Sequence, residues 1–296
     1  MRNGVVLFIT LSVIVAMLGL VGVIFSYLDR AKQNSSHSGA IIQSNLFFAD
    51  TSRAIDKLLK IVGKDKDKRE TILTTLYSAP MTLQPQESEL FITAECRPLD
   101  NGVNINWLGY ENNSSMQTHY SMAQRLFDDM VDRYSIDNPS LLLEKILIAI
   151  NGSSIEGSRL KRGVGIVSLS QFEEILREYQ LQSDDRGVEK IRWERFFTFD
   201  KGSILIDGNY ISAELISMLF DIELELVKDE WFEGDNLKEF VVANGGDISK
   251  YKKIFSPTLI ERIHCKVTYS YLDEVYSFGL DYLEERAERF EFYAKQ

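Results

Sequence analysis

The residues that could do chemistry in this chain are few. Cys96 and Cys265 are its only thiols, and two cysteines support one bridge in an oxidising compartment, not a disulfide scaffold. Each falls at an apolar position of an alternating, strand-like run, so buried free thiols and a strand-to-strand disulfide both fit. His37, His119 and His264 lie far apart and have no ligand-like spacing. His264 adjoins Cys265, yet strand alternation puts the two on opposite faces, which excludes a thiol–imidazole dyad. The sequence holds no Gly-x-Ser-x-Gly, and with no base near a nucleophile the chain reads as a non-enzyme. Asp184, Asp185 and Asp207 offer oxygens, but Ca²⁺ takes about 6–8 of them and no EF-hand spacing exists. Solvated loop acids are the simpler reading. Gly245-Gly246 before Asp247 reads as a helix terminator, with no phosphate-loop pattern around it. The net charge of −11 argues against a nucleic-acid partner, which calls for a basic surface.

One further chemistry is proteolytic, and it concerns the start of the chain. After Met1-Arg2-Asn3-Gly4, residues 5–27 contain no charged side chain, and Asp29, Arg30 and Lys32 end the run. Crossing a bilayer core takes about 20 apolar helical residues. Arg2 on the short side orients the N-terminus to the cytoplasm and exports the remainder. A removable secretory signal has an apolar core of about 7–15 residues and a small-residue cleavage site. This run is longer, and Tyr27-Leu28-Asp29-Arg30 is no such site. A plain signal anchor fits. So does a leader cut between Gly4 and Val5, which leaves residues 5–28 as a permanent transmembrane helix; Gly4 followed by Val5-Val6-Leu7-Phe8-Ile9 resembles that prepilin pattern. Pilin-like proteins usually carry Glu at the fifth mature position, here Ile9. A carboxylate within the bilayer costs about 2.5–3.5 kcal/mol unless something pairs with it. In a filament the partner is the terminal amine of the subunit above. Ile9 therefore fits a pilin relative at a filament tip, or else a protein that is no pilin.

The elements that must carry these residues follow from hydrophobic period. Residues 40–62 keep a helical rhythm through Ile42, Leu46, Ala49, Ile55, Leu58 and Val62. The stretch Asn34-Ser35-Ser36-His37-Ser38-Gly39 softens the link to the membrane helix, and the whole can form one rod. A short helix is expected at 69–77. Strand alternation at 90–96, the turn Asp100-Asn101-Gly102 and alternation through Val103, Ile105 and Trp107 predict a hairpin. Helices are expected at 117–134, 139–150, 170–179, 212–220, 236–243 and 248–255, with Ser170, Ser212 and Asp247 as N-caps. Residues 262–295 read as a three-stranded antiparallel meander with one apolar face. Hairpin and meander are each too small to stand alone. The expected fold is α+β: a long N-terminal membrane helix packed on one antiparallel pilin-like sheet, with a large all-helical domain inserted between its strands. The boundaries are 1–4 leader, 5–28 transmembrane helix, 29–113 with 260–296 helix-and-sheet domain, and 114–259 helical insert.

With that arrangement the chain resembles the type II secretion system protein K family, the large minor pseudopilins. Gly4-Val5-Val6-Leu7 resembles the family's start. Asp100-Asn101-Gly102-Val103-Asn104-Ile105-Asn106 is similar to its Gly-x-Ile-Asn-Leu-Asn turn and strand. Ser170-Gln171-Phe172-Glu173-Glu174-Ile175 is similar to its helix-initiating segment, and the run from Ser203 to Leu215 to the segment that follows. All four come in the family's order. The family often has an acidic run after a Leu-rich helix, where this chain reads Ile148-Ala149-Ile150-Asn151-Gly152. Family members can bind calcium in the insert; without those carboxylates no cofactor is expected to be required here.

The resemblance implies a tip subunit of a periplasmic pseudopilus that initiates or caps the filament for protein export. It would sit in the inner membrane by one span, with its globular part in the periplasm. Its implied partners are prepilin peptidase, the I-type and J-type minor pseudopilins and the major pseudopilin. A minor pilin of a type IV pilus or competence filament is the neighbouring alternative. A signal-anchored periplasmic enzyme or ligand-binding protein is the alternative of another class.

Overall fold

The computed structural model describes residues 2–63, 65–83, 92–152, 165–272, 274–283 and 285–293, without the side chains of residues 2–16, 29, 33, 34, 62 and 83. In chain order the elements are α1 (Arg2–Val62), α2 (Lys66–Ser78), β1 (Met81–Leu83), β2 (Ile92–Pro98), β3 (Val103–Asn104), α3 (Gln117–Tyr134), α4 (Pro139–Asn151), α5 (Leu169–Ser183), β4 (Phe197–Thr198), α6 (Ala213–Phe220), α7 (Leu224–Glu230), α8 (Leu237–Ala243), β5 (Ile263–Tyr271), β6 (Glu274–Leu283) and β7 (Arg286–Tyr293). They form two units. Met1–Arg97 with His264–Gln296 make a helix-and-sheet unit, and the continuous stretch Pro98–Ile263 makes the inserted unit.

In the helix-and-sheet unit, α1 runs unbroken for 61 residues, about 90 Å at 1.5 Å per residue. The polar stretch 34–39 stays helical because the sheet holds it. Tyr269 Oη donates to the Ala40 carbonyl at 2.6 Å, Ser36 Oγ lies 3.3 Å from Tyr276 Oη, and His37 meets Phe292 edge-on. Gly39 has no side chain to obstruct Tyr271, whose Oη would lie 2.5 Å from a Cβ there. Beyond this point Ala40, Ser44, Phe47, Thr51, Ile55 and Leu59 are buried, a stripe at three- and four-residue steps facing the sheet. Phe47 and Phe48 meet Tyr269 and Phe290 edge-on. Asp65 caps α2 by accepting from the Lys68 amide, which fixes the start that sequence periodicity alone puts at residue 69.

The sheet order is β1-β2-β5-β6-β7. Met81 stands opposite Ala94 and Phe278 opposite Phe292 in antiparallel pairs, with a bulge at Asp281/Tyr282. Ile263, Cys265, Val267 and Tyr269 are buried, the apolar face expected of the meander. The expected hairpin does not form. Its first half is β2, but Val103 and Asn104 pair in parallel with Phe197 and Thr198, and Ile105–Tyr110 coils into a 3₁₀ helix. Gly102 turns the chain because it passes close to backbone: a Cβ there would lie 3.0 Å from the Phe196 carbonyl oxygen. Residues 98–113 and 260–263 thus belong with the insert, whose boundaries move out from 114–259 to Pro98–Ile263.

The inserted unit has its own apolar core, including Trp107, Leu126, Phe127, Phe172, Phe196, Phe197, Leu215 and Val241. It is mainly helical, not all-helical, since β3 and β4 make a small parallel pair. The N-cap of α5 is Ser168, not Ser170: its Oγ accepts from the Gln171 amide at 3.2 Å. Ser212 caps α6 at 3.1 Å from the Leu215 amide. The helix expected at 248–255 shrinks to one 3₁₀ turn, Ser249–Tyr251, with Asp247 accepting from the Ser249 amide. Among the described residues, no helix is long and apolar enough to cross a membrane.

Candidate functional site

Gly4, Val5 and Ile9 fall within the helical backbone of α1, and their side chains lie outside the described ones. The next part of the helix is informative. Met17, Val21, Ile24 and Leu28 are exposed, and so are Ile42 (65%) and Leu46 (56%) far beyond them. Steps of three and four put all six on one side of α1, roughly opposite the stripe that packs on the sheet. Ala31 and Ser35 fall on the same line and are exposed too. From Ala40 on, α1 therefore has a sheet-facing side and an open side that carries Ile42 and Leu46, while from Met17 to Leu28 every described side chain is exposed and no one side is set apart.

Cys96 on β2 and Cys265 on β5 are joined as a disulfide, with a sequence separation of 169. The bridge links the two strands between which the insert leaves and rejoins the sheet. On the opposite face His264 Nδ1 lies 2.7 Å from Asp281 Oδ1, and Arg289 reaches the other oxygen at 2.8 Å. Tyr293 covers Gly279 beside His264. Burial, then the negative charges of Glu291 and Asp281, push its phenol up to about 12. The other histidines are elsewhere: His119 Nε2 sits 2.9 Å from the Ile204 carbonyl, with its ring edge-on to Trp107.

The inserted unit contains a buried polar node that brings together two of the sequence segments singled out above. Asn104 Nδ2 donates to the carbonyls of Asp200 and Ser203, and its Oδ1 accepts from the Asn106 amide. Asn106 in turn donates to the Ile166 and Asp200 carbonyls and accepts from the Ile166 amide at 2.7 Å. Trp107 Nε1 donates to Ser203. Arg262, at the far end of the insert, bridges the Asp100 and Asp200 carboxylates, 1% and 7% exposed. Burial opposes ionisation of Asp200. The Arg262 guanidinium and the Gly202 and Ser203 amides outweigh it and hold that carboxyl below the usual range. Asp207 accepts from the Ile260 amide at 3.2 Å, and its own amide donates to the Asp100 carbonyl. The node ties both ends of the insert to its middle. Sequence reasoning reached Asn104 and Asn106 through the segment that resembles the family's turn and strand, and it missed Arg262, whose partners lie 162 and 62 residues away.

Two of the three acids named as cation oxygens, Asp185 and Asp207, have partners within the protein. Asp185 accepts from the Tyr179 hydroxyl and the Asp137 and Gly187 amides, while Asp184 ends α5 in the left-handed region. Among the described residues no group of three or more His, Cys, Asp or Glu gathers as a metal site. A surface groove lined by Asp129, Asp132, Asp221 and Glu223 is acidic. Burial, then neighbouring aspartates, raise Asp129 despite Arg125, which also binds Asp221 through two oxygens.

No family model matches the sequence, and no curated protein does. Among solved structures, the fold is similar to a chain of the GspK-GspI-GspJ complex from the type 2 secretion system of enterotoxigenic Escherichia coli. The TM-score is 0.56 over 88% of this chain and 98% of that one, at 14% sequence identity. The similarity is one of fold.

Proposed function

We propose that the chain is a K-type minor pseudopilin, a tip subunit that initiates or caps the periplasmic pseudopilus of a type II secretion system. The observation that carries this reading is a fold shared over 98% of a chain from the GspK-GspI-GspJ complex, reached independently of the four sequence segments in family order. In this reading prepilin peptidase cuts between Gly4 and Val5. Residues 5–28 then hold the subunit in the inner membrane, with the rest in the periplasm. Ile9 leaves no unpaired carboxylate at the top of the filament. The partners are I-type and J-type minor pseudopilins and, below them, the major pseudopilin. The open side of α1 supports this, since Ile42 and Leu46 are exposed in a part of the helix whose other side already packs on the sheet. The subunit works by position and contact, with no catalysis and no required cofactor.

The deciding measurement is the mass of the mature N-terminus in cells with and without prepilin peptidase. A chain beginning at Val5 only when the peptidase is present is the expected result. A chain that begins at Met1, or far downstream of Val5, in both strains overturns the reading.

A further inference from the structure

We propose that the Cys96–Cys265 bridge is an oxidative latch that lets the helix-and-sheet unit keep its fold independently of the inserted unit. The chain passes from one unit to the other at Arg97/Pro98 and returns at Ile263/His264; the two cysteines stand at the sheet side of these crossings. In the order β1-β2-β5-β6-β7 the β2–β5 junction joins the N-terminal strands to the C-terminal ones. Without a bridge, the covalent path between those neighbours runs through 169 residues. Closing a loop of that size is worth roughly a thousandfold or more in favour of the joined sheet. The insert, for its part, has a core drawn wholly from between Val103 and Phe255. It can therefore open as its own cooperative unit, and the bridge confines that opening. Cys265 is fully buried and Cys96 6% exposed, so the closed bridge is shielded once the sheet has formed.

The latch rests on the exported placement proposed above for its oxidant, a disulfide-bearing thiol oxidase. The Cys96 thiolate attacks one sulfur of the oxidant's disulfide, forming a mixed disulfide and releasing one oxidant thiolate. The Cys265 thiolate then attacks Cys96 Sγ and releases the second. Two protons leave the cysteines, and the oxidant takes up two electrons.

The test uses the full chain in detergent and compares Leu126→Ala, a truncation in the core of the insert, in oxidised protein and in a Cys96→Ala/Cys265→Val background. Calorimetry reads the insert and amide exchange reads β5 and β6. In the oxidised protein the insert transition should fall by about 10 °C while protection of β5 and β6 is unchanged. In the bridge-free background that protection should fall with the insert. Wild-type and Leu126→Ala proteins unfolded and refolded in a phosphine reductant give the same comparison should the double variant not fold. Loss of sheet protection in step with the insert in oxidised protein overturns the latch, as does unchanged protection without the bridge. Thiol alkylation under denaturing conditions, after an acid quench of whole cells, tests the placement separately. Blocked cysteines support export; reactive cysteines overturn export while the exchange data still decide the latch.

Discussion

Among single residues Arg262 has the widest reach, because one guanidinium neutralises two carboxylates that the fold has taken out of water. Removing one partner from such a cluster costs about 3–5 kcal/mol, more than the intact cluster contributes over an apolar replacement. Arg262→Met should therefore lower the unfolding free energy of the inserted unit by that amount, read as a lower denaturant midpoint. The cluster also sets an acid limb. Asp200 is held below its ordinary pKa in the folded state, so its contribution is complete above about pH 4 and lost as pH falls through the lower folded-state value. Asp200→Asn should remove that part of the acid-unfolding curve while leaving the curve flat near neutrality. None of this was legible in the sequence. An arginine beside a strand start carries no local mark of partners so distant along the chain. Cys96 and Cys265, by contrast, stood out by rarity and by their place on apolar strand faces.

At the scale of elements, α3, α4 and α6 were readable to within a residue, while α5 runs four residues past its expected end, α7 was not expected and 248–255 holds a single 3₁₀ turn. α3 begins and ends where periodicity puts it, with no side chain capping it, and Ser212 caps α6 as expected; Asn236, expected inside its helix, caps it instead. The hairpin misled because Asp100-Asn101-Gly102 has turn chemistry and the residues after it alternate. What defeats it is polar burial. Asn104 and Asn106 are both buried and bonded to distant carbonyls, so the chain follows their hydrogen bonds and not the strand period. The signal was present as two asparagines two apart in an otherwise apolar run. Gly102 belongs to the same geometry. Gly102→Ala would press a methyl against the backbone at Phe196, Phe197 and the Thr198 side chain, and that backbone is held in the β3–β4 pair. The expected cost is about 1–3 kcal/mol, read as a lower melting temperature of the insert with the sheet unit unchanged.

For the whole molecule, a helix-and-sheet unit interrupted by a large insert was legible because the sheet's two halves were each too small to be stable alone. The exact seam was not, since it depends on Arg262, Asp100 and the buried asparagines. Assembly belongs to this scale. Ile42→Lys with Leu46→Lys changes two exposed positions, so the melting temperature should move by no more than a degree or two. On the function proposed above, co-purification with I-type and J-type subunits should be lost. Retained co-purification would place the contact on another surface. The unbroken α1, pinned to the sheet by Tyr269, Tyr271 and Tyr276, has a mechanical consequence. A shaft with no break in its hydrogen-bond ladder between foot and head has no built-in joint at which a push along its axis would be lost before it reaches the sheet.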